Sequence, residues 1–180
     1  MLALVLPGCG GGSSGTGAFS SGFNKTAPLG TLTSEQRTEL CDKFQSFVKQ
    51  KLLVPDVICP FAGVVVGIHD GQQNFLTSPS ALCEEVVPVC FDRFDEFAEA
   101  APPLDCPIKP DDLFQCAVPI GTLEQCINDM FDLVASVLSG LNCSLADKFT
   151  DANDFVDSLS FAPPSTPACN EIRTKCPNEI

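Results

Sequence analysis

Apolar residues recur with a helical period through most of this chain. The clearest case is IGTLEQCINDMFDLVASVLSG, residues 120–140. There Leu123, Cys126, Ile127, Met130, Val134, Val137 and Leu138 form one wide stripe. Thr122 with Gln125 three residues later reads as a capping box, and Gly140 as the stop. This segment is expected to be the central helix.

The stretch LTSEQRTELCDKFQSFVKQKL gives the same signal earlier in the chain. Thr33 and Gln36 form a second capping box, and Leu40, Cys41, Phe44, Phe47 and Val48 follow at helical spacing. A helix over about 34–52 is expected, ended by Pro55. The next stretch, VICPFAGVVVGIHDGQQNFLT, is ambiguous. Its β-branched run Val64–Val66 and the Asp70-Gly71 turn signal fit either a minor β-hairpin or a helix followed by a loop.

Ser78 as cap and Pro79 at the first helical position open a further helix. Its inner face carries Cys83, Val86, Cys90, Phe94, Phe97 and Ala101, and Pro88 is expected to kink or split it. A helix is expected over LADKFTDANDFVDSLSF, with Leu145, Phe149, Ala152, Val156 and Leu159 on one side. Thr166-Pro167 opens a last short helix, with Cys169, Ile172 and Cys176 facing inward. No internal repeat is evident. The expected fold class is mainly α: a small disulfide-stapled helical domain, with a minor β-hairpin as the one open alternative, preceded by a flexible Gly/Ser tether.

Cysteine content sharpens this picture. The chain has 180 residues and 11 cysteines. Setting Cys9 apart leaves an even set: Cys41, Cys59, Cys83, Cys90, Cys106, Cys116, Cys126, Cys143, Cys169 and Cys176. No Cys-x-x-Cys pair is present, and His69 is the only histidine, so zinc or thiol redox chemistry is disfavoured. Five structural disulfides and an oxidising compartment are expected. Ten cysteines allow on the order of a thousand pairings, and the sequence does not select one. It does exclude two local pairs. Seven residues of straight helix span about 10 Å, beyond a disulfide's Cα–Cα reach of about 7 Å, so Cys83 and Cys90 must take different partners, as must Cys169 and Cys176.

The N-terminus explains the odd cysteine. Met1–Leu6 is an apolar run, and Leu6-Pro7-Gly8-Cys9 resembles a bacterial lipobox. The resemblance implies cleavage before Cys9 and lipidation of Cys9; Gly10 after the cysteine is similar to the outer-membrane class. Residues 1–8 are then a truncated lipoprotein signal, short and without a basic start because the true start codon lies upstream. Residues 9–31 are expected as a lipidated cysteine and Gly/Ser/Thr-rich tether, reaching roughly 25 Å as a coil. Residues 32–180 are the disulfide-rich helical domain. The stretches ELCD, CAVPIGTLEQC and PACNEIRTKC resemble a loose group of cysteine-rich bacterial lipoproteins. That likeness implies the compartment and the disulfides, and no activity.

Charge narrows the partners. The formal net charge is -13, from 10 basic and 23 acidic residues. Nucleic acid and anionic lipid surfaces are therefore poor partners. From Asp92 to Asp157 there are 14 acidic and 3 basic residues, which fits a docking surface for a basic protein as well as plain solubility. Asp147, Asp151, Asp154 and Asp157 are expected on or near one helical face. Clustered carboxylates suit a divalent cation, but no EF-hand loop is present, and no metal or cofactor is expected.

No catalytic constellation stands out. His69-Asp70 is the one His–carboxylate neighbour pair, and no Gly-x-Ser-x-Gly elbow exists. The chain is expected not to be an enzyme. The leading expectation is a lipid-anchored cell-envelope binding or structural module, anchored in the outer membrane. One alternative is a carrier of a lipid or small apolar ligand, in a cavity lined by Phe44, Phe47, Phe91, Phe94, Phe97, Phe131, Phe149 and Phe155. Another is a secreted enzyme with an unrecognised site. A eukaryotic secreted protein is a further reading, from the sequons Asn24-Lys25-Thr26 and Asn142-Cys143-Ser144. There are 14 Phe but no Trp and no Tyr, which disfavours a carbohydrate-binding module.

Overall fold

The computed structural model describes residues 17–71, 77–100, 116–159 and 164–176. Among these residues the protein is helical, without strands: α1 (Ser34–Leu52), α2 (Pro55–Gly71), α3 (Pro79–Asp92), α4 (Phe94–Ala100), α5 (Ile120–Leu138), α6 (Ala152–Ser158) and α7 (Pro167–Lys175). Two short 3-10 segments, Leu29–Thr31 and Cys143–Lys148, complete them. The mainly α, disulfide-stapled fold expected from the sequence is the one observed.

Local signals worked where a cap was written in the sequence. At α1 the Thr33 side chain accepts from the Gln36 N–H and the Gln36 side chain accepts from the Thr33 N–H. Ser78 caps α3 with Pro79 at its first position, and Thr166 caps α7 with Pro167. The ambiguous stretch after Pro55 is helical through Gly71, so its Val64–Val66 run is core helix rather than hairpin; residues 72–76 lie outside the described residues. Pro88 neither ends nor splits α3, whose break comes at Arg93. Pro88 is exposed on the helix surface, where water can satisfy the freed carbonyl one turn back.

Three expectations are corrected. The capping box at Thr122–Gln125 does not form. α5 begins at Ile120 after Pro119, which leaves Thr122 in the first turn. The single helix expected over 145–159 is two elements, because the Asp151 side chain accepts from the Asn153 N–H and restarts the chain as α6. That shift turns Phe155 inward and leaves Val156 45% exposed. The tether expected to run to Thr31 is folded from Gly17 onward. Phe19 and Leu29 are buried, and the backbone of 25–30 pairs with that of 116–121.

The core has two centres. One gathers Phe19, Leu29, Leu40, Ile120, Leu123, Ile127 and Ile172 between the N-terminal segment, α1, α5 and α7. The other gathers Val64, Ile68, Ala146 and Phe155 between α2, α3, the second 3-10 segment and α6. Each centre has its own staples: Cys116–Cys176 and Cys126–Cys169 in the first, Cys59–Cys90 and Cys83–Cys143 in the second. Cys83 and Cys90, and likewise Cys169 and Cys176, take different partners, as their spacing requires. Cys41 is also disulfide-bonded, to a partner outside the described residues, where Cys9 and Cys106 both lie.

Candidate functional site

Among the described residues, Glu124 on α5 is a buried carboxylate with a full set of partners. It follows Ile120 by one turn, so the stripe that makes α5 amphipathic carries a carboxylate into the core. Glu124 is 3% exposed. Its Oε1 accepts from the Ser21 N–H at 2.6 Å and the Ser21 hydroxyl at 2.7 Å, and its Oε2 pairs with Lys25 Nζ at 3.3 Å. Burial alone would raise the Glu124 pKa. The Ser21 bonds and Lys25 outweigh it and hold the carboxyl below its ordinary value.

Around this carboxylate the N-terminal segment is pinned on both sides. The Phe19 N–H donates to Asn128 Oδ1 at 2.6 Å, one turn along α5, and Asn128 Nδ2 donates to the Phe19 carbonyl. From α1, Lys43 Nζ donates to the Ser21 carbonyl at 2.6 Å, pairs with Glu39, and stands over the Phe23 ring. With both carboxylate oxygens of Glu124 engaged, the Ser21–Glu124–Lys25 site is a structural clasp. Sequence reasoning missed it. The available signal was a carboxylate directly beside Leu123 on the most clearly amphipathic helix.

The residues singled out from the sequence do not converge. His69 Nδ1 lies 2.8 Å from Asp70 Oδ1, but both side chains are exposed in the last turn of α2. The acidic set is dispersed by the break between the 3-10 segment and α6: Asp147 accepts from the Ser80 N–H on α3, and Asp151 caps α6. Among the described residues, no group of three or more His, Cys, Asp or Glu is placed to hold a metal. Both sequon asparagines are used locally, Asn24 bonding to Thr26 and Asn142 to Ser144.

The phenylalanines divide between the two centres. Phe19, Phe44, Phe47 and Phe131 meet edge to face in the first, and Phe61, Phe149 and Phe155 pack in the second. Phe91 is 42% exposed, and the Phe97 side chain lies outside the described residues. The surface grooves among the described residues include two with apolar linings. One, of about 390 Å³, lies between the end of α1, the start of α2 and the second half of α5, with Phe47, Leu52, Val57, Phe131 and Leu138 along it beside Lys51, Asp56 and Asp132. The other, of about 380 Å³, lies on the outer face of α2 and α3. Among the described residues no single helix is long and apolar enough to cross a membrane. No protein-family model matches the chain, and neither the curated proteins nor the solved structures contain a match.

Proposed function

We propose that this protein is a non-enzymatic binding or structural module of the bacterial cell envelope, held at the outer membrane by lipid on Cys9. The observation that carries the reading is the state of the cysteines. Every cysteine among the described residues is disulfide-bonded, which fits an oxidising compartment. The Leu6-Pro7-Gly8-Cys9 resemblance supplies the anchor, and more than one acyl chain makes attachment stable. The clasp at Glu124 supports a structural rather than a catalytic use of the buried carboxylate. It spends the group on fixing the N-terminal segment, the part of the chain that runs toward Cys9.

The test is intact mass from the native membrane fraction, before and after reduction. A chain beginning at Cys9 with acyl groups, gaining about ten hydrogens on reduction, is expected from five disulfides. An unlipidated mass overturns the anchor, and free thiols overturn the compartment.

The second reading, a carrier of a lipid or small apolar ligand, draws on the groove between α1, the start of α2 and α5. Its volume falls within the usual range of ligand sites, and two phenylalanines line it. Lipid extracted from the native protein beyond its covalent acyl chains would favour the carrier; none is expected from the leading reading.

A further inference from the structure

The outer face of α2 and α3 carries more apolar surface than its surroundings explain. Ile58, Ala62 and Val66 recur every four residues along α2, and Val86 and Val89 face them from α3 across a groove of about 380 Å³. Val89 is 54% exposed. The groove is rigid from beneath. The Cys59–Cys90 disulfide joins the two helices at its floor, and Gly63 lets them approach closely enough that a Cβ there would stand 2.6 Å from Val87 Cγ2. A fixed, two-helix groove with an apolar floor is the shape that receives the apolar stripe of a third helix.

Charge selects the occupant. Pro55–Ala100 contains eight acidic residues and a single Lys or Arg, Arg93. Glu85 stands in the groove wall, and Glu84 and Asp92 are exposed on the same helix. A second copy would bring like-charged rims together, and an anionic membrane would be repelled. A helix with cationic flanks would be attracted. We propose that the α2–α3 groove docks the apolar stripe of a basic amphipathic helix from a partner protein. This rests on the reading of the chain as a binding module and names the chemistry of its partner.

The test uses the disulfide-intact full chain and a synthetic amphipathic helix of leucine and lysine. Its controls are a composition-matched scramble without a stripe and a leucine–glutamate counterpart. Calorimetry and amide chemical-shift mapping are expected to show one-to-one binding of the lysine peptide, with shifts confined to α2 and α3. Val89→Lys removes apolar contact, adds repulsion, and places a lysine four residues after Glu85, a pairing a helix tolerates well. It is expected to weaken binding at least about tenfold with an unchanged thermal midpoint. Glu85→Gln is expected to weaken it roughly twofold and flatten its salt dependence. Leu133→Lys, at an exposed apolar position on α5, is expected to change nothing. Equal binding of the scramble, shifts spread over the surface, or an unaffected Val89→Lys overturns the proposal. Should the peptide fail while crosslinking in cells finds an envelope partner on another face, the groove assignment falls and the binding-module reading stands.

Discussion

At the scale of single residues, Glu124 makes the sharpest predictions. Its carboxylate is buried and accepts two bonds from Ser21. Glu124→Gln keeps the shape and one acceptor but loses the charge, and bonds to a charged group contribute about 1.5–3 kcal/mol each. The variant is expected to lose about 2 kcal/mol in urea unfolding at pH 7. The pH dependence has a definite sign. The folded carboxyl titrates below its ordinary value of 4.5, so its stabilisation is full above that pH and drains away as the pH falls through the lower, folded value. Unfolding midpoints measured from pH 6 down to pH 2 should show an acid-side decline that is shallower in Glu124→Gln. A second residue-scale test concerns the N-terminal segment. Phe19 is 4% exposed and meets the Phe44 and Phe47 rings, so Phe19→Ala should cost about 3–5 kcal/mol by the same measurement. A mobile tether would lose nothing.

At the scale of elements, what was legible in the sequence follows from how local the controlling interaction is. Thr33, Ser78 and Thr166 fix helix starts through bonds to their own neighbours, and all three starts could be read directly. The start of α5 could not. There the backbone of residues 25–27 bonds to Ile120 and Gly121, a contact more than ninety positions distant that outweighs the Thr122–Gln125 signal. The same distant contact hid the clasp: Glu124 has a reason to be buried only once Ser21 and Lys25 are beside it. Residues 17–31 looked like linker because they are rich in small polar residues, yet Phe19, Leu29 and the left-handed Gly22 (φ 75°) belong to a fold. The α2 glycines carry a related lesson. Gly63, Gly67 and Gly71 recur every four residues, a spacing that permits close helix contact, and all three face α3. At Gly67 the atom nearest an added Cβ is the Pro79 carbonyl oxygen, part of the backbone and unable to swing aside. Alanine gains about 1 kcal/mol of helix propensity over glycine, whereas overpacking costs about 1–3 kcal/mol. With backbone as the obstacle the clash wins, and Gly67→Ala is expected to lower stability by about 1–2 kcal/mol in thermal or urea unfolding.

At the scale of the whole molecule, the two core centres and their separate staples set how the protein opens. Cys116–Cys176 and Cys126–Cys169 close loops around the first centre, and Cys59–Cys90 and Cys83–Cys143 around the second. A disulfide of this loop size contributes about 2–4 kcal/mol, chiefly by restricting the unfolded chain. Removing one should therefore weaken the centre it closes before the other. The Cys83→Ala, Cys143→Ala double variant isolates this effect. It leaves both first-centre disulfides in place and deletes a bridge between α3 and the 3-10 segment, where Cys83 is fully buried. Amide hydrogen exchange is the appropriate measurement, because it resolves local opening that a single melting curve averages away. Amides of α2, α3 and α6 should exchange faster by a factor matching the lost stability, about 30-fold or more for 2 kcal/mol. Those of α5 and α7, packed on the first centre, should change far less. Equal acceleration throughout would mean that the two centres unfold as one cooperative unit despite their separate cores. In that case rigidity at the α2–α3 face would depend on the clasp at Glu124 as much as on its own disulfides, and Glu124→Gln would accelerate exchange there as well.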